Sequence, residues 1–203
     1  MAISYPLAMP TYPGVTRVSF SQVNAVATSE SPWTYASQTQ VHQGQKWQAE
    51  FTLPVMACEH AEQWMCFLLQ LNGTAGSFML GDPLQTAPRG NWSGAPVVNG
   101  SGQKGNSINI RGLIPGATIA PGDCFQIGNR LYKYICMNTV AADGSGQATL
   151  DIFPRLRESP ADGTGIIAIA PKGLFRLSSN DTEIYSSHQM EYYEVGISAV
   201  EAL

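Results

Sequence analysis

Residues 46–53 alternate without a slip, with Trp47, Ala49, Phe51 and Leu53 on one side and Lys46, Gln48, Glu50 and Thr52 on the other. That is the period of a half-buried strand. Pro54 has no N–H to give to a ladder and ends it. The period then becomes helical, with Ala57, Ala61, Trp64, Met65, Leu68 and Leu71 on one stripe. Asn72-Gly73 supplies the left-handed residues that end a helix. A short strand follows at 77–80, closed by Gly81-Asp82-Pro83. Upstream, Val18 and Phe20 alternate with Arg17 and Ser19, and 33–41 reads as another strand entered after Pro32. Pro6, Pro10 and Pro13 punctuate an N-terminal arm.

Near Pro88 the texture changes. Gly90, Gly94, Gly100, Gly102 and Gly105 lie among Asn and Ser and leave room only for short strands. Residues 107–110 alternate briefly and break at Gly112. Phe125 and Ile127 alternate into a Gly128-Asn129 turn, and Leu131, Tyr132, Tyr134 and Ile135 form the return strand. Residues 143–146 turn the chain into a strand at 148–153 that Pro154 closes, and an apolar run at 166–170 follows Asp162-Gly163. Five or six short strands without a helix describe a small barrel or sandwich. From 172 the first texture returns, with strands expected at 173–177 and 193–200. The pattern therefore predicts a mainly β protein: a β-sandwich with one flanking helix, built from 1–86 and 172–203, with a small β-barrel-like module inserted at 87–171.

Composition narrows the class. Hydrophobic residues make up 44% of the 203, enough for a core, while charged residues make up only 13%, about half the usual share. So neutral a surface suits a protein partly covered by other subunits. A net charge of −4, with Arg155 and Arg157 the densest cationic cluster along the chain, argues against nucleic acid. No stretch reaches the roughly 18 apolar residues of a membrane span, and the first residues have no secretory pattern. The Asn-x-Ser/Thr matches at Asn72, Asn91, Asn99 and Asn180 are then chance matches. Cys58 and Cys66 stand too far apart on the helix to bridge, at about 12 Å. A Cys124–Cys136 bridge would need a bulge, because the Gly128-Asn129 turn sets Lys133 opposite Cys124. All four read as buried thiols of a reducing compartment.

Chemistry-bearing patterns fail on context. Gly100-Ser101-Gly102-Gln103-Lys104-Gly105 matches a dinucleotide fingerprint, yet a strand pattern follows where a helix N-terminus is needed. His42, His60 and His188 are the only histidines, and no Gly-x-Ser-x-Gly elbow accompanies them. His60 falls on the solvent side of the helix beside Glu59, and His188 in a polar loop. Glu59 and Glu62 lie in the first helical turn, where they favour the dipole, and Glu191 and Glu194 solvate one side of a strand. Neither Asp143 and Asp151 nor any Cys/His set has metal-ligand spacing. No catalytic residue, cofactor or metal is expected. Among the large aromatics, Trp33, Trp47 and Trp64 read as anchors. Trp92, in the Gly/Asn entry to the insert, reads either as a cap on that module or as an exposed ring. With Tyr132 and Tyr134 it would then make a stacking site for a sugar or a partner.

The order of three blocks resembles bacteriophage tail-tip proteins: Trp47-Gln48-Ala49-Glu50-Phe51-Thr52-Leu53-Pro54 with Trp64-Met65-Cys66-Phe67-Leu68-Leu69; Gly76-Ser77-Phe78-Met79-Leu80-Gly81-Asp82-Pro83 with Pro88-Arg89-Gly90; and 122–128 through 150–157, with 172–177 at the end. The likeness covers most of the chain and is to the distal tail proteins of long-tailed phages. It implies a structural virion protein at the tail tip, assembled in the host cytoplasm. Six copies would close into a ring around the tail tube, with the insert pointing outwards. The implied partners are the chain itself, the tail tube protein and the tail-tip hub, with tail fibres or a host glycan as further contacts. DNA would pass without specific binding. The proline-rich arm at 5–13 is a candidate clasp on a neighbour or an ordinary frayed terminus. The rival expectations are a carbohydrate-binding module using Trp92, Tyr132 and Tyr134, and a hydrolase using His60 or His188.

Overall fold

The computed structural model describes residues 3–183, 187–188, 191–192 and 195–203. In chain order the elements begin β1 (Arg17–Glu30), β2 (Ser37–Leu53), α1 (Cys58–Leu71) and β3 (Phe78–Leu80). Next come β4 (Gly94–Val98), β5 (Gly105–Leu113), β6 (Thr118–Ile119), β7 (Cys124–Ile127), β8 (Arg130–Tyr134), β9 (Val140–Ala141), β10 (Ala148–Leu156) and β11 (Ile166–Ile167). The chain finishes with β12 (Gly173–Leu177), β13 (Ser187–His188), β14 (Glu191–Tyr192) and β15 (Val195–Glu201). The protein is mainly β, with one α-helix among the described residues, as the pattern predicts.

A five-stranded sheet has the order β1-β2-β15-β12-β3, so strands from both ends of the chain share one ladder. Its inner face is the alternating set Trp47, Ala49, Phe51 and Leu53, joined by Phe78, Leu80, Phe175, Leu177, Ile197 and Ala199. Helix α1 covers that face with Ala61, Trp64, Phe67, Leu68 and Leu71. Ala57 of the expected stripe is exposed and Met65 half-buried, while Phe67 takes a buried place. Asn72 ends the helix in the left-handed region at φ 50, followed by Gly73 at φ 63.

A six-stranded sheet, β11-β7-β8-β10-β5-β4, curls into a nearly closed barrel. A bridge from Val97 to Gly165 brings its two ends together, and across the same seam the Val98 N–H donates to Thr164 O at 2.9 Å while Val98 O accepts the Gly163 N–H at 3.0 Å. The Gly128-Asn129 turn sets Cys124 opposite Lys133, as its spacing requires. Pro154 does not close β10. The strand runs to Leu156 with a break in register after Asp151, because Pro154 has no N–H for the ladder.

Trp47 joins the two parts. Its indole N–H donates to the Leu131 carbonyl at 3.0 Å, and its ring meets Phe153 edge-on at 4.7 Å. Leu131 and Phe153 thereby belong to the same core as α1. The Arg155 N–H donates to Gln45 Oε1 at 3.0 Å, and the Lys172 N–H to Gln126 Oε1 at 2.9 Å.

Several expectations are corrected. The strand expected at 33–41 begins only at Ser37, and Trp33 is no anchor but 89% exposed at a hairpin tip. Cys58 and Cys66 are exposed rather than buried, because they fall on the outer side of α1; Cys124 and Cys136 are half-buried, and no disulfide forms. The backbone of Ser187–His188 pairs with Glu191–Tyr192 rather than forming a loop. The side chains of His188 and Glu191, and all of Tyr193 and Glu194, lie outside the described residues.

Candidate functional site

The β1–β2 hairpin carries extended surface that the rest of the chain leaves exposed. Strand β15 pairs with β2 only from Gln48 to Leu53. Beyond that point no third described strand joins the ladder from the Val23–Lys46 pair to the Glu30–Ser37 pair, about 25 Å at roughly 3.3 Å per residue, although its base still rests on β10 through Gln45 and Arg155. Between the Asn24–Gln45 and Val26–Val41 pairs, Ala25 alone faces residues 42–44, so the ribbon carries a bulge near its base. Past the bulge every residue of both strands is exposed. Trp33 and Tyr35 (77% exposed) cap the tip, and Val26 and Val41 are exposed along the shaft. From 24 to 43 the only formal charge is Glu30. A two-stranded ribbon is marginal in water on its own. An apolar tip on a nearly uncharged shaft is surface of the kind that interfaces cover.

The N-terminal arm is tied down within the chain rather than frayed at these positions. Leu7 N–H donates to Ser77 O at 2.8 Å, Tyr5 OH to Gln70 O at 2.8 Å, and Trp64 Nε1–H to Pro13 O at 3.3 Å. Tyr12 lies edge-on to His60 at 4.7 Å.

Trp92, Tyr132 and Tyr134 do not form a stacking platform. They are 9%, 4% and 1% exposed, inside the barrel core. Trp92 packs on Phe125 at 5.5 Å and Phe125 stacks on Tyr132 at 5.9 Å, so the ring faces are taken by one another. Burial pushes the phenols of Tyr132 and Tyr134 up to about 12, and Tyr134 OH donates to Asn138 O at 2.9 Å. Trp92 is the cap, not the exposed ring.

What holds Trp92 is Asp123, a buried carboxylate that reads in sequence only as a turn former. It accepts from Arg89 N–H (2.8 Å), Gly90 N–H (3.1 Å), Trp92 Nε1–H (2.8 Å) and Ala120 N–H (2.9 Å). Gly90 has no room for a Cβ, which would fall on Thr118 O and within 2.8 Å of Asp123 Oδ2. This node ties the 89–92 segment to the turn before β7 and seats Trp92 in the barrel core.

His60 pairs with Glu59 at 3.5 Å. His42 sits exposed on the shaft. Burial pushes the Cys124 thiol up to about 11, far from a reactive thiolate. The fingerprint loop is followed by strand β5, and Asp162 accepts the Gly100 N–H at 2.7 Å where a phosphate would have to bind. That bond and Arg111 at 3.1 Å hold the Asp162 carboxyl below its ordinary value. Among the described residues no cluster of His, Cys, Asp and Glu could hold a metal ion, and no helix is long and apolar enough to cross a membrane.

One grouping was missed in the sequence because its members lie far apart along the chain. Lys46, Lys104, Arg155 and Arg157 line a single open groove of about 670 Å³ beside the hairpin bulge. No protein-family model matches the chain, and no curated protein matches it.

Proposed function

We propose that the chain is a non-enzymatic structural protein of a phage tail, six copies of which close into a ring joining the tail tube to the tail-tip hub. The observation that carries this reading is the unaccompanied β1–β2 arm, about 25 Å of ribbon whose exposed Trp33, Tyr35, Val26 and Val41 have no cover within the subunit. A ring needs two different complementary patches on each copy, and an arm reaching beyond its own sheet is one such patch. The low charge of the arm supports the same role, since unpaired charge is costly to bury at an interface. The order of the sequence blocks supports the placement at the distal end of the tail, in the virion, after assembly in the host cytoplasm. DNA then passes the opening without specific binding.

Imaging of intact particles tests the proposal. A ring at the tail end containing this chain, with the arm reaching a neighbouring copy, is the expected result. Absence of the chain from that ring removes the proposal. The burial of Trp92, Tyr132 and Tyr134 gives no support to a glycan-binding reading of those three residues.

A further inference from the structure

The groove at the base of the arm gathers four of the chain's eleven Lys and Arg residues from three separate segments. Arg155 and Arg157, two apart on one strand direction, share a side of the chain. Lys104 enters from the fingerprint loop and Lys46 from β2. Among the described residues none of the four has a carboxylate within ion-pair distance, whereas Arg111 and Arg130 are paired to Asp162 and Glu201. Among the described residues no Asp or Glu lines the groove. Glu201 lies buried behind it, taking the Trp47 N–H at 3.1 Å and feeling Arg157, Arg130 and Lys46. Four cations therefore line the groove against one acid buried behind it, with Lys104 exposed and the other three half-buried. In a chain of net charge −4 this is a concentrated positive field.

The shape limits what fits it. Val23 and the exposed Leu203 give the groove apolar walls, and the bulge in the ribbon bends one side of it. It is concave, whereas double-stranded nucleic acid is read by convex elements entering its own grooves. Among the described residues no aromatic ring lines it to stack an unpaired base. An extended peptide offers what both parts of the surface ask for: carboxylates for the cations and alternate apolar side chains for the walls. We propose that this groove docks an extended acidic segment of a partner protein, a site separate from the arm tip and independent of the ring proposal.

Fluorescence anisotropy of the full chain with a labelled short peptide of alternating Glu and Leu tests this. The controls are the same peptide with Gln for Glu, a labelled oligothymidylate and inorganic phosphate as competitor. The expected result is saturable binding of the acidic peptide alone, weakened by added salt. Lys104→Glu with Arg155→Glu should weaken it at least about tenfold. Arg155 is chosen over Arg157, which faces buried Glu201, and the exposed Lys104→Gln alone should give a smaller loss without any fold effect. Equal binding of the Gln peptide, preference for the oligothymidylate, displacement by phosphate alone, or no binding would each overturn the proposal. So would self-association of the wild type that the reversed variant abolishes, since the occupant would then be a second copy.

Discussion

Removing the Asp123 carboxylate should be among the most damaging single changes available to the barrel. Four N–H groups converge on it, three of them on Oδ2. The site is 2% exposed, so water cannot replace the lost acceptor without entering the core. Hydrogen bonds to a charged acceptor contribute about 1.5–3 kcal/mol each, and an orphaned buried donor costs about 1–3 kcal/mol. Asp123→Asn can place its amide oxygen where Oδ2 lies and keep three of the bonds. Its NH2 group then opposes the Arg89 N–H, which gives an expected loss of about 2 kcal/mol. Asp123→Ala strands all four donors and opens a void, and should cost more than about 4 kcal/mol. Against a total stability of about 5–15 kcal/mol, the alanine variant approaches the unfolding threshold. Urea denaturation followed by circular dichroism reads this as a lower midpoint at unchanged slope. The reasoning fails if the alanine variant lies within about 1 kcal/mol of wild type, or if the two variants are equally destabilised.

Other outcomes follow from single contacts. Ala57 is the exposed N-cap of α1 in an extended conformation with no side-chain bond to the first turn, so Ala57→Ser should raise stability by about 1 kcal/mol in the same titration. Burial pushes the Glu201 carboxyl above its ordinary value of 4.5, despite the Trp47 N–H and the nearby cations. The native state then holds a proton that the unfolded chain releases, so this group's contribution declines as pH rises from that value upward. Glu201→Gln keeps an acceptor for Trp47 and should flatten that decline in melting measured across the acid-to-neutral range; an unchanged pH profile contradicts the assignment. Trp33→Ser with Tyr35→Asn should leave stability within about 0.5 kcal/mol, because both side chains are exposed. The same pair should abolish incorporation into particles, and normal incorporation would mean that the arm tip makes no assembly contact.

Local rules settled the elements whose burial is periodic. The alternation at 46–53 requires one face to be apolar, and Trp47, Ala49, Phe51 and Leu53 are indeed the buried set. The helical stripe and the Asn72-Gly73 stop follow from side-chain spacing and backbone sterics within a few residues. So does the pairing of Cys124 with Lys133 across Gly128-Asn129. The outer arm escaped because hydrophobic period reports burial, and a ribbon exposed on both faces has no such period to read. Tertiary structure alone decided the fate of isolated residues. It turned Trp33 outward and Trp92 inward, made a turn aspartate the acceptor for donors from about thirty residues upstream, and drew cations at 46, 104, 155 and 157 to one groove. Those outcomes depend on which distant strands become neighbours, and sequence spacing carries no information on that until the sheets have closed.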